Sequence, residues 1–562
     1  MFKKILLGEM LVQNKLITET QLKKALAAQE KSGAKLGRAL IDLHILTEDN
    51  MLDFLAKQLK IPLFNLKKYD LDFDLAKHLP EAYARRFRVL ILKEHKNGYL
   101  LGMVDPLDIN ALDELKRILK KPIFLSLVRE SDLLHILDIV YRRTDDISNF
   151  AEKLTEELAG GISLTDLSLT ADQVDAPVIK LLQSLFEDAI QMHASDIHIE
   201  PGEKVLRIRQ RIDGVLHEQE MKEKNIAQAI ALRLKLLAGL NISERRMPQD
   251  GRFNMKVRDR YIDVRLSTLP MQYGESVVMR LLDQSGGMLS LEQLGLPDDT
   301  LKEVRRLAHM PNGIILVSGP TGSGKTTTLY GMLNELNAPD KKIITAEDPV
   351  EYRLGRINQV QVNEKLDFSF ARVLRSMLRQ DPDIIMVGEM RDVETAEIAM
   401  RAALTGHLVL STLHTNDSAS CALRLLDMKV EGYLIAATLR GVLAQRLVRR
   451  VCDSCKEPYT LTEQERSWLI GIAGEEAVHH DFCYGKGCSY CNKTGFKGRV
   501  GIYELLELNE PMMEALRKSD PSAFAHHAAE ALKGKLLLNK SLALTVNCIT
   551  TPSEVMRIIG GI

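Results

Sequence analysis

The chain has 562 residues, which is too long for a single hydrophobic core and predicts three or four domains. Hydrophobic residues make up 45% and charged residues 27% of it, ordinary values for a soluble globular protein, and the net charge of −1 gives no electrostatic case for a nucleic-acid partner. No uncharged apolar run reaches the roughly 18 residues of a membrane span, and the N-terminal apolar run lacks a signal-peptide cleavage site. The sequence therefore predicts a cytoplasmic multidomain protein.

The chain opens with two copies of one short module, at residues 6–29 and 35–58. The second copy follows the first at an offset of 29 residues, and eight of the aligned positions are identical. In each copy a threonine, Thr18 or Thr47, precedes apolar residues at helical spacing and is a predicted helix N-cap. Each copy should form two short helices, and the copies should pack on each other because neither alone has much surface to bury.

Further along, the periodicity of apolar residues divides the chain. Residues 1–145 form an N-terminal domain in which a small α/β module, with strands YLLGMV and IFLSLV, follows the repeats. Residues 146–172 read as a polar linker with one helix, and 173–290 as a helix followed by alternating strands. Residues 291–505 alternate apolar strands such as GIILVS and DIIMVGE with helices, the pattern of a parallel sheet covered on both faces. Residues 506–562 read as helical.

The strand GIILVS leads into the sequence GPTGSGKTTTLYGML, which fits the phosphate-binding loop G-x-x-x-x-G-K-[ST]. The glycines let backbone N–H groups surround a β-phosphate, Lys325 neutralises the β- and γ-oxygens, and the Thr326 hydroxyl ligates Mg²⁺. A glycine-rich turn that binds nothing is the alternative, and the strand before and helix after the loop oppose it. The predicted nucleotide-binding residues are Gly319, Pro320, Thr321, Gly322, Ser323, Gly324, Lys325, Thr326 and Thr327.

Acidic and imidazole side chains follow the next strands. Glu389 ends the strand of DIIMVGEMRD, where a second acid holds Mg²⁺ through water or polarises the attacking water. Of the acids in AEDPVEY, which are Glu347, Asp348 and Glu351, one is expected to orient the hydrolytic water. In GHLVLSTLHTN, His407 and His414 bracket a strand and are candidate γ-phosphate sensors, although a lone histidine is more often structural. The predicted chemistry is hydrolysis of a nucleoside triphosphate.

The P-loop, AEDPVEY, DIIMVGEMRD and GHLVLSTLHTN follow one another in that order along the chain. In this order and spacing they resemble the secretion ATPase superfamily of type II secretion and type IV pilus assembly, over residues 173–505. The resemblance implies an α/β multidomain fold with a RecA-like P-loop ATPase core behind a PAS-like domain. The resemblance implies that Glu351 is the catalytic carboxylate and that Glu389 binds Mg²⁺ and water. It also implies that Glu347 and Asp348 lie at the ATP and Mg²⁺ site, and that His407 and His414 couple the γ-phosphate to movement of the protein. It also implies a homohexamer that binds ATP between subunits or domains.

In this superfamily the second domain closes on the nucleotide and contributes arginines. Its motif is legible here as ASDIHIEP, RQRIDGVL, QDGR and VRLST. Arg252 and Arg265 are the candidates for neutralising transition-state charge. Plain surface arginines on a sheet edge are the alternative for each.

Seven cysteines include two CxxC pairs separated by 32 residues. Two such knuckles close a tetrahedral Zn²⁺ site with no open position, and a redox or incidental role is the alternative. Cys483 is a further candidate ligand, and Cys421 and Cys548 read as buried small hydrophobic residues. A tetracysteine insertion, here at 448–496, resembles those of assembly and secretion motors and is missing from retraction motors. The predicted zinc ligands are Cys452, Cys455, Cys488 and Cys491.

The opening repeat resembles the N-terminal domain of the mannose-sensitive haemagglutinin pilus ATPases, which binds cyclic di-GMP with two 24-residue motifs and a five-residue spacer. This sequence departs from that pattern because Leu6 and Lys35 stand where the family motif opens with arginine, which threatens guanine recognition. A docking module that binds no nucleotide is the alternative. By the resemblance, the ligand-facing residues are Leu7, Gly8, Leu22, Leu26, Gln29, Lys35, Leu36, Gly37, Met51, Leu55 and Gln58.

Taken together, these features predict a hexameric, zinc-containing, Mg²⁺-dependent ATPase that drives assembly of a haemagglutinin-type or related type IV pilus under control of cyclic di-GMP. It would act at the cytoplasmic face of the inner membrane through a platform protein. The alternatives are a type II secretion ATPase with a docking module, a hexameric nucleic-acid translocase, and a nucleotide-sensing regulator without hydrolysis.

Overall fold

The computed structural model describes residues 7–32, 36–43, 45–69, 71–106, 108–141, 144–159, 177–257, 260–283, 289–363 and 366–559. The chain forms two compact units. The first comprises residues 1–142 with the short segment 487–494, and the second comprises residues 143–486 and 495–562.

Four short helices build the repeat at the start of the first unit. Thr18 and Thr47 cap the second and the fourth of them, because each hydroxyl accepts a hydrogen bond from the backbone N–H three residues on. Buried residues from both copies, among them Leu11, Leu40 and Phe54, share one core, which confirms that the copies pack on each other. The helices are Leu7–Gln13, Glu19–Ser32, Leu36–Asp42 and Glu48–Leu59.

The rest of the first unit is the predicted small α/β module. Strand β1 pairs antiparallel with β2, and β2 pairs parallel with β3. Four helices, interleaved with the strands along the chain, bury their apolar faces in the same core. The strands are β1 (Val89–His95), β2 (Gly98–Met103) and β3 (Ile123–Leu127), and the helices are Phe73–Ala76, Glu81–Phe87, Ile109–Leu119 and Glu130–Val140.

The second unit begins with a six-stranded antiparallel sheet in the order β6-β5-β4-β9-β8-β7. The helix Thr144–Ala159 overlaps the predicted linker 146–172. Its residues Ile147, Ala151 and Leu154 are buried in the core of this sheet, so the helix is part of the packed domain. Residues 160–176 lie outside the described residues. The remaining elements are helices Pro177–Gln191 and Ile226–Leu237 and strands β4 (Ala194–Pro201), β5 (Leu206–Ile212), β6 (Val215–Met221), β7 (Gln249–Val257), β8 (Arg260–Met271) and β9 (Gly274–Asp283).

A seven-stranded sheet follows, in the order β12-β11-β13-β14-β10-β15-β18. It is parallel, as predicted, except that β18 runs antiparallel to β15. Along β10, Ile314 and Leu316 face one core whereas Ile315 and Val317 face another, so helices cover both faces. The strands are β10 (Gly313–Ser318), β11 (Ile343–Glu347), β12 (Asn358–Gln361), β13 (Ile384–Val387), β14 (Leu408–Leu413), β15 (Leu439–Val451) and β18 (Phe496–Glu507).

The helices that cover the two faces of this sheet include six from the region between residues 298 and 438. They are Asp298–Ala308, Lys325–Leu336, Phe370–Met377, Val393–Leu404, Ala419–Asp427 and Gly432–Thr438.

Between β15 and β18 the chain forms a hairpin of β16 (Lys456–Tyr459) and β17 (Phe482–Gly485) with the helix Glu463–Ala473. Cys421 is buried, as predicted, but Cys548 is half-buried and forms a disulfide with Cys483, so neither residue of that pair has its predicted role. The C-terminal region is helical, as predicted, with helices Glu510–Arg517, Pro521–Ala531, Leu537–Val546 and Pro552–Ile559. Among the described residues, we find no helix with the length and apolar character of a membrane span.

Candidate active site

The P-loop follows β10 and leads directly into the helix Lys325–Leu336, as the sequence predicts. Gly324, the residue before the helix, has a φ of 90°, a conformation that strains any residue with a Cβ. At Gly319 a Cβ would lie 2.5 Å from the carbonyl oxygen of Gln445, so no larger residue fits between the loop and β15. The two glycines therefore allow the close turn that a phosphate-binding loop needs.

Lys325 folds back onto this loop. Its Nζ donates hydrogen bonds to the carbonyl oxygens of Gly319, at 2.8 Å, and Pro320, at 3.1 Å. Burial lowers the pKa of Lys325 to about 8. An anionic phosphate on the loop would favour the charged lysine and raise this pKa again.

A cleft of about 630 Å³ opens above the P-loop. It collects most of the predicted site residues from the carboxyl ends of β10, β11, β13 and β14, which meet at one edge of the parallel sheet. The rest of the P-loop, Gly319, Pro320 and Ser323, lies in the same loop outside the cleft lining. The predicted residues that line the cleft are Thr321, Gly322, Gly324, Lys325, Thr326, Thr327, Glu347, Asp348, Glu351, Glu389 and His414.

Glu389 lies at the centre of a charged cluster on the cleft wall. Its carboxylate is 2.5 Å from Arg391 and 3.5 Å from Nε2 of His414, and Arg391 is also 3.5 Å from Asp348. Burial, followed by the positive charge of Lys325, lowers the pKa of His414 below its usual value. This lowering favours the neutral imidazole of His414, which lies beside the strand end that carries Glu389.

His407 lies outside this cluster, although the sequence pairs it with His414 as a candidate γ-phosphate sensor. It precedes β14, whereas His414 follows it, so the two imidazoles lie at opposite ends of a six-residue strand. Nδ1 of His407 is 2.8 Å from the carbonyl oxygen of Ala402, at the end of the neighbouring helix Val393–Leu404. Because the P-loop follows the carboxyl end of β10, only the residue after a parallel strand reaches it.

Glu351 forms a two-pronged ion pair with Arg265. The guanidinium Nη2 donates to Oε2 at 2.7 Å, and Nη1 donates to Oε1 at 3.3 Å. Both side chains are half-buried. The structure thus brings together the carboxylate and one of the two arginines that the sequence singles out, and it joins the six-stranded sheet to the acidic loop after β11.

Three arginines form a row across the six-stranded sheet. Arg265 of β8 lies directly opposite Arg252 of β7 and Arg280 of β9, and residues in direct register share one face. Arg252 pairs with Asp263 at 2.6 Å and does not line the cleft, whereas Arg280 does. The sequence analysis did not select Arg280. The observation that could have identified it is that YIDVRLSTL and SVVMRLL are adjacent predicted strands, in which Arg280 pairs with Arg265.

Glu347 is bound by the protein itself. Its carboxylate accepts hydrogen bonds from the hydroxyls of Tyr330 and Thr345, both at 2.5 Å, and from Nε2 of Gln359 at 3.1 Å. Burial raises the pKa of Glu347 despite these donors. These three donors leave Glu347 few free lone pairs for a ligand.

The four cysteines of the two CxxC pairs form a cluster whose sulfur atoms all lie within 4.8 Å of one another. Sγ of Cys488 is 3.8 Å from Sγ of Cys491. This equals the edge of a tetrahedron with Zn–S bonds of about 2.3 Å. The backbone N–H of Cys488 also points at the Cys491 sulfur, at 3.3 Å. Cys452, Cys455, Cys488 and Cys491 therefore fit a closed zinc site.

Most of the residues predicted to face cyclic di-GMP occupy matching places on the four repeat helices. A Cβ on Gly8 would meet the side chains of Leu22 and Leu36, and one on Gly37 would meet Met51. Each glycine is the second residue of its helix and lies against an apolar side chain. Leu26 is 43% exposed, Leu55 is half-buried and Gln58 is exposed. Leu7 and Gln29 also lie on these helices, and Lys35 lies outside the described residues.

Comparison with protein families matches residues 171–557, more than half of the chain, to the family described as Type II/IV secretion system protein. The chain belongs to this family. It is an ATPase. Residues 59–147 also match the MshEN domain, and this match covers the α/β module that follows the repeats.

Relatives of this secretion-family ATPase match along nearly all of their length. Type IV pilus assembly ATPase PilB of Myxococcus xanthus is 40% identical over 559 residues, 98% of each chain. Type II secretion system ATPase E of Vibrio cholerae is 41% identical over 495 residues, 86% of this chain and 96% of its own. The solved ATPase DotB of Legionella pneumophila is 22% identical, with a TM-score of 0.51 over 68% of this chain and 95% of that one, and shares the fold.

Proposed function

We propose that the cleft above the P-loop hydrolyses ATP with Mg²⁺. The observation that carries this is the meeting, in one cleft, of the P-loop, Glu389 with His414, and Glu351. The Thr326 hydroxyl and the carboxylates of Asp348 and Glu389 are oxygen donors of the kind that Mg²⁺ prefers, and they would hold it. When bound, Mg²⁺ neutralises charge on the β- and γ-phosphates.

In this proposal Glu351 orients the attacking water and accepts its proton. The carboxylate is held by Arg265 through both of its oxygens, so it must leave this partner before it can act. The γ-phosphate carries more negative charge than a single carboxylate and can bind a guanidinium in the same two-pronged way. ATP binding therefore draws Arg265 towards the phosphate and frees Glu351 for the water.

The test is steady-state hydrolysis by Lys325→Ala and Glu351→Gln. Both variants should lose nearly all turnover, and Glu351→Gln should still bind a fluorescent ATP analogue. Glu397→Gln, a carboxamide substitution of an ion-paired surface carboxylate on Val393–Leu404, is the control and should match the wild type. Near-normal turnover in Glu351→Gln would remove this residue from the mechanism.

We propose further that the ATPase works as a homohexamer that drives type IV pilus assembly through a platform protein at the inner membrane. The match to PilB along 98% of both chains supports this choice. Type II secretion is the second candidate, favoured by the comparable identity to the Vibrio cholerae ATPase. Deleting the gene in its host and scoring surface pili against secreted protein would separate them, and light scattering with an ATP analogue would test for the hexamer.

Cyclic di-GMP is the proposed regulator. The exposure of Leu26, in a helix otherwise packed by its apolar face, supports a surface on which a flat guanine can stack. Calorimetric titration of cyclic di-GMP into the full chain should give micromolar or tighter binding, lost in Gln29→Ala and Gln58→Ala. No binding to the wild type would leave the repeats as a docking module.

A structural zinc ion is the proposed occupant of the cysteine cluster. The 3.8 Å separation of the second pair of sulfurs and their partial burial support it. Metal analysis of the purified protein should find about one zinc per chain, as a closed four-thiolate site requires.

A further inference from the structure

The hydroxyl of Tyr330 touches two acidic residues at once. Tyr330 lies on the helix that starts at Lys325, and only 2% of it is exposed. Its Oη donates to Oε2 of Glu347 at 2.5 Å and accepts a hydrogen bond from the backbone N–H of Glu351 at 3.3 Å. One atom thus links the P-loop helix to the loop that carries Glu351.

Glu347, which accepts the hydrogen bond from the Tyr330 hydroxyl, is itself held in place. Glu347 is 3% exposed, and its other oxygen accepts from Thr345 and Gln359. With three donors in a buried site, the carboxylate has the hydrogen bonds that a buried charge needs. It serves as a rigid acceptor at the end of β11.

The amide of Gln359 extends the same network along the loop. Its Oε1 accepts from the backbone N–H of Leu354 at 2.7 Å, and its Nε2 donates to the carbonyl oxygen of Tyr352 at 2.9 Å. The loop 351–354 is therefore held at three backbone atoms, one through Tyr330 and two through Gln359. None of these contacts involves the side chain of Glu351.

We propose that Tyr330 is a positioning residue. Its hydroxyl, held by Glu347, fixes the position of the Glu351 backbone relative to the P-loop. The proposal rests on the proposed role of Glu351 in hydrolysis. Tyr330 and Lys325 share one helix, so a phosphate bound at the start of that helix and the carboxylate on the loop keep a fixed separation. The side chain of Glu351 can then leave Arg265 while its backbone stays in place.

The test is Tyr330→Phe in the full chain, which removes one oxygen atom and keeps the ring packing. Turnover should fall by about 10- to 100-fold, the effect of a misplaced catalytic group, while the affinity for a fluorescent ATP analogue stays within two-fold. The matched control is Tyr459→Phe, because the Tyr459 hydroxyl donates to Glu465 at 2.8 Å in the β16–β17 region, outside the cleft. This control should keep wild-type turnover and affinity.

A double variant separates positioning from general support of the fold. If Tyr330 acts through Glu351, adding Tyr330→Phe to Glu351→Gln should not lower the residual rate further. A further drop, an equal loss of affinity, or wild-type turnover in Tyr330→Phe would overturn the proposal while Glu351 keeps its role. Wild-type turnover in Glu351→Gln alone would instead overturn the role of Glu351, and the proposal with it.

Discussion

Replacing Gln445 with methionine should weaken the attachment of the P-loop to β15 and so lower the affinity for nucleotide. Gln445 is 1% exposed on β15. Its Nε2 donates to the carbonyl oxygen of Ser323 at 2.6 Å, and its Oε1 accepts from the hydroxyl of Thr328 at 2.7 Å. The side chain therefore ties β15 to the loop and to the first turn of the following helix. Methionine keeps the length of the side chain and removes both hydrogen bonds.

The magnitude follows from these two contacts. A neutral hydrogen bond contributes a net of about 1 kcal/mol, and an unpaired buried group costs about 1–3 kcal/mol. The Thr328 hydroxyl can turn to a carbonyl of its own helix, which leaves Ser323 as the unpaired group. We therefore expect a loss of about 2 kcal/mol, which is about a 30-fold weaker affinity if nucleotide binding must restore the loop.

Equilibrium titration with a fluorescent ATP analogue measures this effect, and circular dichroism checks that the variant is folded. Gln464→Met on the helix Glu463–Ala473, where the side chain is exposed, is the matched control and should bind normally. A folded Gln445→Met variant with an affinity within two-fold of the wild type would refute the reasoning. A lower melting temperature with unchanged affinity would show that Gln445 supports the sheet and not the loop.

Three further predictions concern charge and metal. Burial lowers the pKa of Lys325 to about 8 in the free protein, and a bound phosphate raises it again. ATP binding should therefore take up protons, and the affinity for ATP should fall as pH rises above about 8. Calorimetry in buffers of different ionisation enthalpy measures the proton uptake. Cys488→Ser should lose bound zinc on metal analysis, whereas Cys421→Ala should keep it. Glu554→Gln should lower the free energy of unfolding by about 3 kcal/mol, because this buried carboxylate pairs with Arg449 and Arg557. The pKa of Glu554 is lowered, since those hydrogen bonds outweigh burial, so this stabilisation should disappear as pH falls through the acidic range in denaturation curves.

Most residues of the nucleotide cleft were predictable because short motifs in the sequence identify them. The P-loop needs particular residues at fixed spacing, and Glu389 and His414 follow apolar strands that the sequence makes evident. The structure places His407 at the other end of its strand from the P-loop, and strand direction alone predicts this placement. In a parallel sheet the P-loop meets the carboxyl ends of the strands, and His407 stands before its strand.

The contacts between distant segments were not predictable from the sequence. Gln445 lies more than 100 residues from the P-loop, and its place depends on β15 being the neighbour of β10. The disulfide of Cys483 and Cys548 likewise joins residues 65 positions apart. Strand order sets the first of these contacts, and the packing of the C-terminal helix Leu537–Val546 sets the second. No local pattern in the sequence encodes either.

The arginine row shows how strongly the site depends on register. Arg252, Arg265 and Arg280 share a face because their strands pair without a shift. Since the side chains of a strand alternate between two faces, a slip of one residue between β8 and β9 would place Arg280 on the opposite face and remove it from the cleft. The pairing of Arg265 with Glu351 would survive such a slip, because it depends on β8 and the loop after β11 and not on β9. The position of Arg280 in the cleft is therefore set by the pairing of β8 with β9.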